Sequence, residues 1–157
     1  MSNKIDKNGP GVKSPPPLIF IGLLLAGYGL QQVLPIGLGI TLWSKAIGSV
    51  LILSGMLSLL FLLATYLRKK TNIEPWKPTT YIITSGLYAC SRNPIYLSLC
   101  LVAIGIGFLL NSLWIVFSFL PSAALVYCFA IKKEEAYLEA KFGEQYLCYK
   151  RKVRRWL

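Results

Sequence analysis

Residues 95–131 read IYLSLCLVAIGIGFLLNSLWIVFSFLPSAALVYCFAI, thirty-seven positions without one charged side chain. An α-helix needs about 20 apolar residues to cross the ~30 Å hydrocarbon core, so this run is too long for one span and right for two. Its polar break, Asn111-Ser112, reads as the tip of a helical hairpin with spans near 96–110 and 113–131. Pro121 is expected to kink the second. A single long tilted helix would instead leave the tail on the far side of the membrane.

Toward the N-terminus, Lys45 to Leu67 forms another clear span, ended by Arg68-Lys69-Lys70, and Leu18 to Leu34 a less regular first one with Gln31 and Gln32 near its outer end. Residues 1–17, with Lys4, Lys7, Lys13 and Pro15-Pro16-Pro17, read as a basic disordered arm. A signal peptide is not expected, because the apolar segment runs on to Ile40 without a small-residue cleavage pattern. The organisation is therefore an arm at 1–17 and a single membrane domain at 18–157, with spans near 18–34, 45–67, 96–110 and 113–131 and a tail over 132–157.

Composition agrees: hydrophobic residues make up 55% of the chain, charged residues 15%, and mean hydropathy is +0.56. The expected class is an all-α integral membrane protein of about four transmembrane helices. The net charge of +11 would suit nucleic acid, but the basic residues flank apolar runs, so the expected partners are membrane lipids and no nucleic acid. Three Lys lie in the arm, five Lys and Arg in the 68–94 interval and eight after Ile131, against Lys45 alone elsewhere. Both termini and the polar loop are thus expected in the cytoplasm, in a multi-pass protein of a bacterial inner membrane. Cys90, Cys100, Cys128 and Cys148 form no C-x-x-C pair and the chain has no histidine. No disulfide framework or metal site is expected, and any catalysis must work without imidazole.

Two polar stretches carry the candidate chemistry. Gly86-Leu-Tyr88-Ala-Cys-Ser91-Arg92-Asn93-Pro94-Ile-Tyr96 places a fixed cation, an amide and two phenols directly before the apolar hairpin. In the tail, Glu134, Glu135, Leu138, Phe142, Tyr146 and Tyr149 fall within an arc of about 120° at 100° per residue, with Gly143 able to interrupt the helix. An amphipathic helix on an anionic membrane surface explains the basic residues but not the paired acids, which call for a cation. Arg92 or a ligand would supply it.

The order Gly86-x-Tyr88-x-x-x-Arg92-Asn93-Pro94-x-Tyr96, a hairpin, then Glu134-Glu135-x-x-Leu138-x-x-x-Phe142-Gly143-x-x-Tyr146-x-x-Tyr149 resembles the isoprenylcysteine carboxyl methyltransferase and phospholipid methyltransferase superfamily over roughly residues 45–157. Thr71 and Pro75 resemble residues of its preceding loop. Asn93 stands where many isoprenylcysteine enzymes carry His, and Ser98 where a Gly often follows the Tyr. The resemblance implies S-adenosyl-L-methionine as methyl donor, held between the cytoplasmic loop and the C-terminal cytoplasmic helix, with a lipophilic small-molecule, lipid or prenylated acceptor. Carried onto this chain, the implied cofactor-binding residues are Tyr88, Arg92, Asn93, Pro94, Tyr96, Glu134, Glu135, Leu138, Tyr146 and Tyr149, with Arg92 and Glu135 catalytic.

Elementary chemistry agrees with that inventory. The donor's cationic end wants carboxylates, its carboxylate and ribose want a guanidinium or amide, and its sulfonium and adenine want aromatic faces. A carboxylate acceptor needs no base, whereas an amine does. The absence of histidine therefore leans toward carboxylate esterification of the isoprenylcysteine type, with lipid amine or thiol methylation as the alternative. From other classes, a small transporter would place an ionisable residue inside a span, and none stands there away from the span ends; a lipid-binding scaffold would leave the acid pair without a task.

Overall fold

The computed structural model describes residues 9–12, 15–39 and 41–157, which fold into helices and connecting loops with no strand among them. Helix α1 is Pro16–Val33, α2 Leu42–Lys69 and α3 Pro94–Leu109; α4 (Leu113–Phe117), α5 (Phe119–Val126), a π-helical turn (Tyr127–Ile131) and α6 (Lys132–Phe142) follow end to end, and α7 is Glu144–Lys152. Three stretches are long and apolar enough to cross a membrane: α1, α2 and the thirty residues Leu113–Phe142. The fourth expected span, α3, is apolar but sixteen residues long, ~24 Å at 1.5 Å per residue.

Local chemistry sets the helix ends. Thr41 and Ser44 form a reciprocal capping box, each side chain accepting from the other's backbone N–H, so α2 starts three residues before Lys45. Pro94 opens α3, its fixed φ suiting a first helical position. The expected kink at Pro121 appears as a break at Ser118 between α4 and α5. A proline has no N–H for the carbonyl four residues back and its ring crowds that carbonyl, here at Phe117.

Small residues let α3 lie along α2. A Cβ on Gly55 would stand 2.8 Å from the Ser98 carbonyl oxygen, and one on Gly105 2.7 Å from that of Gly48, so the backbones nearly touch. Membrane helices without a hydrophobic drive to associate gain by such close packing. Gln31 also finds its task near the C-terminal end of α1: its Oε1 accepts from the Ser112 hydroxyl at 2.9 Å, and Ser112 is fully buried. The amide ties α1 to the hairpin tip, where an unpaired side chain would cost several kcal/mol.

Two features of the sequence take definite form. The tail is not one helix: Gly143, at φ 53° and ψ −127°, ends α6 and turns the chain into α7, a conformation that glycine adopts without penalty. Within the arm, residues 9–12 are packed. Val12 is 4% exposed against Phe20, Tyr96, Val126 and Ile131, and a Cβ on Gly9 would lie 2.5 Å from the Lys77 carbonyl carbon and oxygen. The remaining arm residues 1–8 and 13–14, with Lys4, Lys7 and Lys13, lie outside the described residues, as does Ile40.

Candidate active site

The two polar stretches meet. The loop after α2 folds back over α6: Thr79 N–H donates to the Tyr137 hydroxyl, Thr80 N–H to the Thr71 hydroxyl, and the Asn72 amide to the Pro78 carbonyl. Beneath this loop, between the start of α3, α6 and α7, lies an open cleft. Tyr88, Arg92, Asn93, Tyr96, Glu134, Glu135, Leu138, Tyr146 and Tyr149 all line it. Pro94 alone among the expected residues does not; it is buried at the first turn of α3.

The two neighbouring acids differ. Glu134 Oε1 accepts from the Tyr96 hydroxyl at 2.6 Å, and among the described residues no Lys or Arg pairs with it. Glu135 is held twice: Arg155 grips it in two-pronged fashion, Nε to Oε1 and Nη2 to Oε2 both at 2.9 Å, and Arg92 Nη1 stands 3.2 Å from the same Oε1. Both side chains of the Arg92–Glu135 pair are about nine-tenths buried. Arg92 nevertheless keeps Nε and Nη1 without a hydrogen-bond partner. Nη1 faces the Glu135 carboxylate as an ion pair, so Nε is the buried donor that no described group satisfies, a costly arrangement unless an acceptor reaches it.

Phenols fill the remaining wall. The Tyr66 and Tyr88 hydroxyls share a hydrogen bond at 2.7 Å, and the Tyr149 hydroxyl donates to the Tyr88 carbonyl at 2.7 Å. Burial pushes the Tyr88, Tyr146 and Tyr149 phenols above their ordinary range, so they stand as neutral hydroxyls at physiological pH. Behind the cleft, Val153–Leu157 clamps the Arg-Asn-Pro segment. Arg92 N–H donates to the Arg154 carbonyl at 2.9 Å, while the Ser91 hydroxyl and the Asn93 amide both donate to the Arg155 carbonyl at 3.2 and 3.0 Å.

The residues expected from sequence, Pro94 excepted, thus line one cleft, and Tyr66, Pro10 and loop residues such as Asn72, Thr79 and Ile83 share its wall without having been singled out; nor was Arg155, behind it. Tyr66 fell within a span, and Arg155 counted only as one of the eight basic residues after Ile131. A bidentate partner twenty residues away carries no sequence signal.

Comparison with known proteins supplies the relationship. The model of the phospholipid methyltransferase family matches residues 43–145. The fold resembles that of the eukaryotic intramembrane Ras methyltransferase, an isoprenylcysteine carboxyl methyltransferase, with a TM-score of 0.64 and 22% identity over 90% of this chain and 51% of that one. An uncharacterised Haemophilus influenzae protein is 66% identical over 29 residues, 18% of this chain and 46% of its own length. The chain therefore spans about half the length of these two relatives. With the family match extending from the start of α2 to the first residues of α7 and taking in the first polar stretch and the second through Phe142, the chain belongs to the phospholipid methyltransferase family.

Proposed function

We propose that this protein is an S-adenosyl-L-methionine-dependent methyltransferase acting at the cytoplasmic face of the membrane on a lipophilic acceptor. The observation that carries the reading is the presence, in one cleft, of a buried guanidinium whose Nε has no hydrogen-bond partner at Arg92 and of a buried carboxyl with no cationic partner among the described residues at Glu134. That pairing suits a zwitterionic amino-acid group: Arg92 would hold its carboxylate and Glu134 its ammonium. Tyr88, Tyr146 and Tyr149 offer aromatic faces for a sulfonium and a purine. The donor supplies an electrophilic methyl group, so the protein's task is alignment and exclusion of water. Tyr96 orients Glu134, Glu135 orients Arg92, and the 72–83 loop roofs the cleft.

For the acceptor, the reading is esterification of a carboxylate on a prenyl-like or other lipophilic group, since an ionised carboxylate needs no base. The family's phospholipid description favours a second reading, methylation of a lipid amine, in which Glu134 is the carboxylate placed to take the proton. Membranes incubated with methyl-labelled donor and purified protein separate the two: a methyl ester releases volatile label in alkali, whereas an N-methyl product retains it. Calorimetry with S-adenosylhomocysteine tests the donor. No binding to the wild-type protein, or unchanged binding by Arg92→Ala, refutes the reading.

A further inference from the structure

Arg155 lies outside the region matched by the family model and does not line the cleft, yet it makes the two-pronged contact with Glu135 and places its own carbonyl under Ser91 and Asn93. Its guanidinium is further fixed 4.8 Å from the centre of the Tyr127 ring, on the π-helical turn, at a distance suited to a cation–π contact. One residue therefore grips the acid on α6, the segment leading into α3 and the end of the second hairpin helix.

Charge arithmetic shows what this grip does. Left alone together, Arg92 and Glu135 would close on one another as a simple ion pair and consume the donors of Arg92. With Arg155 occupying both carboxylate oxygens, Glu135 meets Arg92 through Nη1 at 3.2 Å in a geometry that leaves Nη1 and Nε without a hydrogen bond. The cluster of two guanidiniums and one carboxylate carries a net positive charge facing the cleft. Asn93, whose amide N–H is spent on the Arg155 carbonyl, belongs in part to the same support.

We infer that Arg155 is a positioning residue of the site: by taking both oxygens of Glu135 it keeps Arg92 Nε clear of that acid and presents the guanidinium to the carboxylate of the bound ligand. This rests on the donor reading above and adds to it the claim that residue 155, which touches no ligand, sets affinity for one part of that ligand only.

The test uses the full chain in detergent and two probes. S-adenosylhomocysteine carries the amino-acid carboxylate; 5′-methylthioadenosine has the adenosine and sulfur without it. Arg155→Ala is expected to weaken S-adenosylhomocysteine roughly tenfold or more, as small misplacements in a preorganised site do, and to leave methylthioadenosine within about twofold. Parallel weakening of both probes, or no change in either, overturns the inference, whereas failure of the wild-type protein to bind S-adenosylhomocysteine refutes the donor reading instead. If Arg155→Ala does not fold, Arg155→Lys, which keeps the charge and lacks the fork, is read with the same probes. Where methylthioadenosine is too weak to titrate, the Arg155→Lys change is made on an Arg92→Lys background: an undiminished further loss of S-adenosylhomocysteine affinity overturns the inference, and its disappearance supports it.

Discussion

Replacing Glu134 and Glu135 one at a time by glutamine is expected to move stability in opposite directions. The carboxyl of Glu134 is buried with a single tyrosine donor and, among the described residues, no cation, so folding must either strip water from its charge or leave it protonated, and either way the ionised group costs stability. Glu134→Gln keeps the shape and an oxygen for Tyr96. It gives up the charge on one hydrogen bond, a difference of about 1 kcal/mol, and relieves the larger desolvation term. The variant should melt no lower than wild type. Its S-adenosylhomocysteine affinity should fall by the worth of a hydrogen bond to a charged group, about 1.5–3 kcal/mol, or roughly ten- to 150-fold at 1.4 kcal/mol per decade.

Glu135→Gln instead breaks a buried ion pair and strands two guanidiniums. Removal of one partner of a buried pair costs about 3–5 kcal/mol, reduced here because the Arg155 side chain is a third exposed. Thermal unfolding in detergent and calorimetry on the same preparations read both quantities. If Glu134→Gln lowers the melting temperature as much as Glu135→Gln, or binds S-adenosylhomocysteine within twofold of wild type, the assignment of separate tasks to the two acids is wrong.

Three further outcomes follow from the packing. Gly55→Val should destabilise by about 1–3 kcal/mol through overpacking, since even its Cβ would meet Val102 Cγ2 at 2.7 Å; Gly22→Ala, with nothing within 4 Å, is the matched control, and the two are compared by thermal unfolding. Gly9→Val must push residues 9–12 off the Trp76–Lys77 backbone; because Pro10 lines the cleft, the donor KM is expected to rise about threefold or more with little change in melting temperature. A membrane-impermeant maleimide should modify exposed Cys90 and Cys148 in inside-out vesicles and spare both in right-side-out ones. The reverse pattern overturns the cytoplasmic placement.

The hairpin and the acid pair were legible because each is a local pattern: an apolar run twice the length of a span, and two carboxylates where the membrane sign calls for cations. What could not be read depends on contacts across long separations. Val12 packs on Tyr96 and Val126, yet in sequence it sits in a Gly- and Pro-rich basic arm. The loop from Thr71 to Ile83 has no hydrophobic period, and its shape comes from side chains such as Thr71, Asn72 and Tyr137 that pair with its backbone. Gly143 was flagged as a point of interruption, but whether a glycine bends or ends a helix is decided by what the next helix packs on, here Ile82 against Tyr146 and Tyr149.

The π-helical turn at Tyr127–Ile131 works as a phase absorber. One surplus residue in an α-helical turn would rotate everything downstream by about 100°, and a π-helical turn absorbs that residue locally instead. Below it, Ser122 and Val126 face the bundle; above it, Glu134 and Glu135 face the cleft. The membrane half and the chemical half of one continuous rod can therefore keep independent registers, so that a change in bilayer fit below the turn need not rotate the acids out of the site. Deleting one residue there would leave a uniform helix with both carboxylates close to their present direction, whereas deleting one within the α-helical part above it would turn them by about 100°.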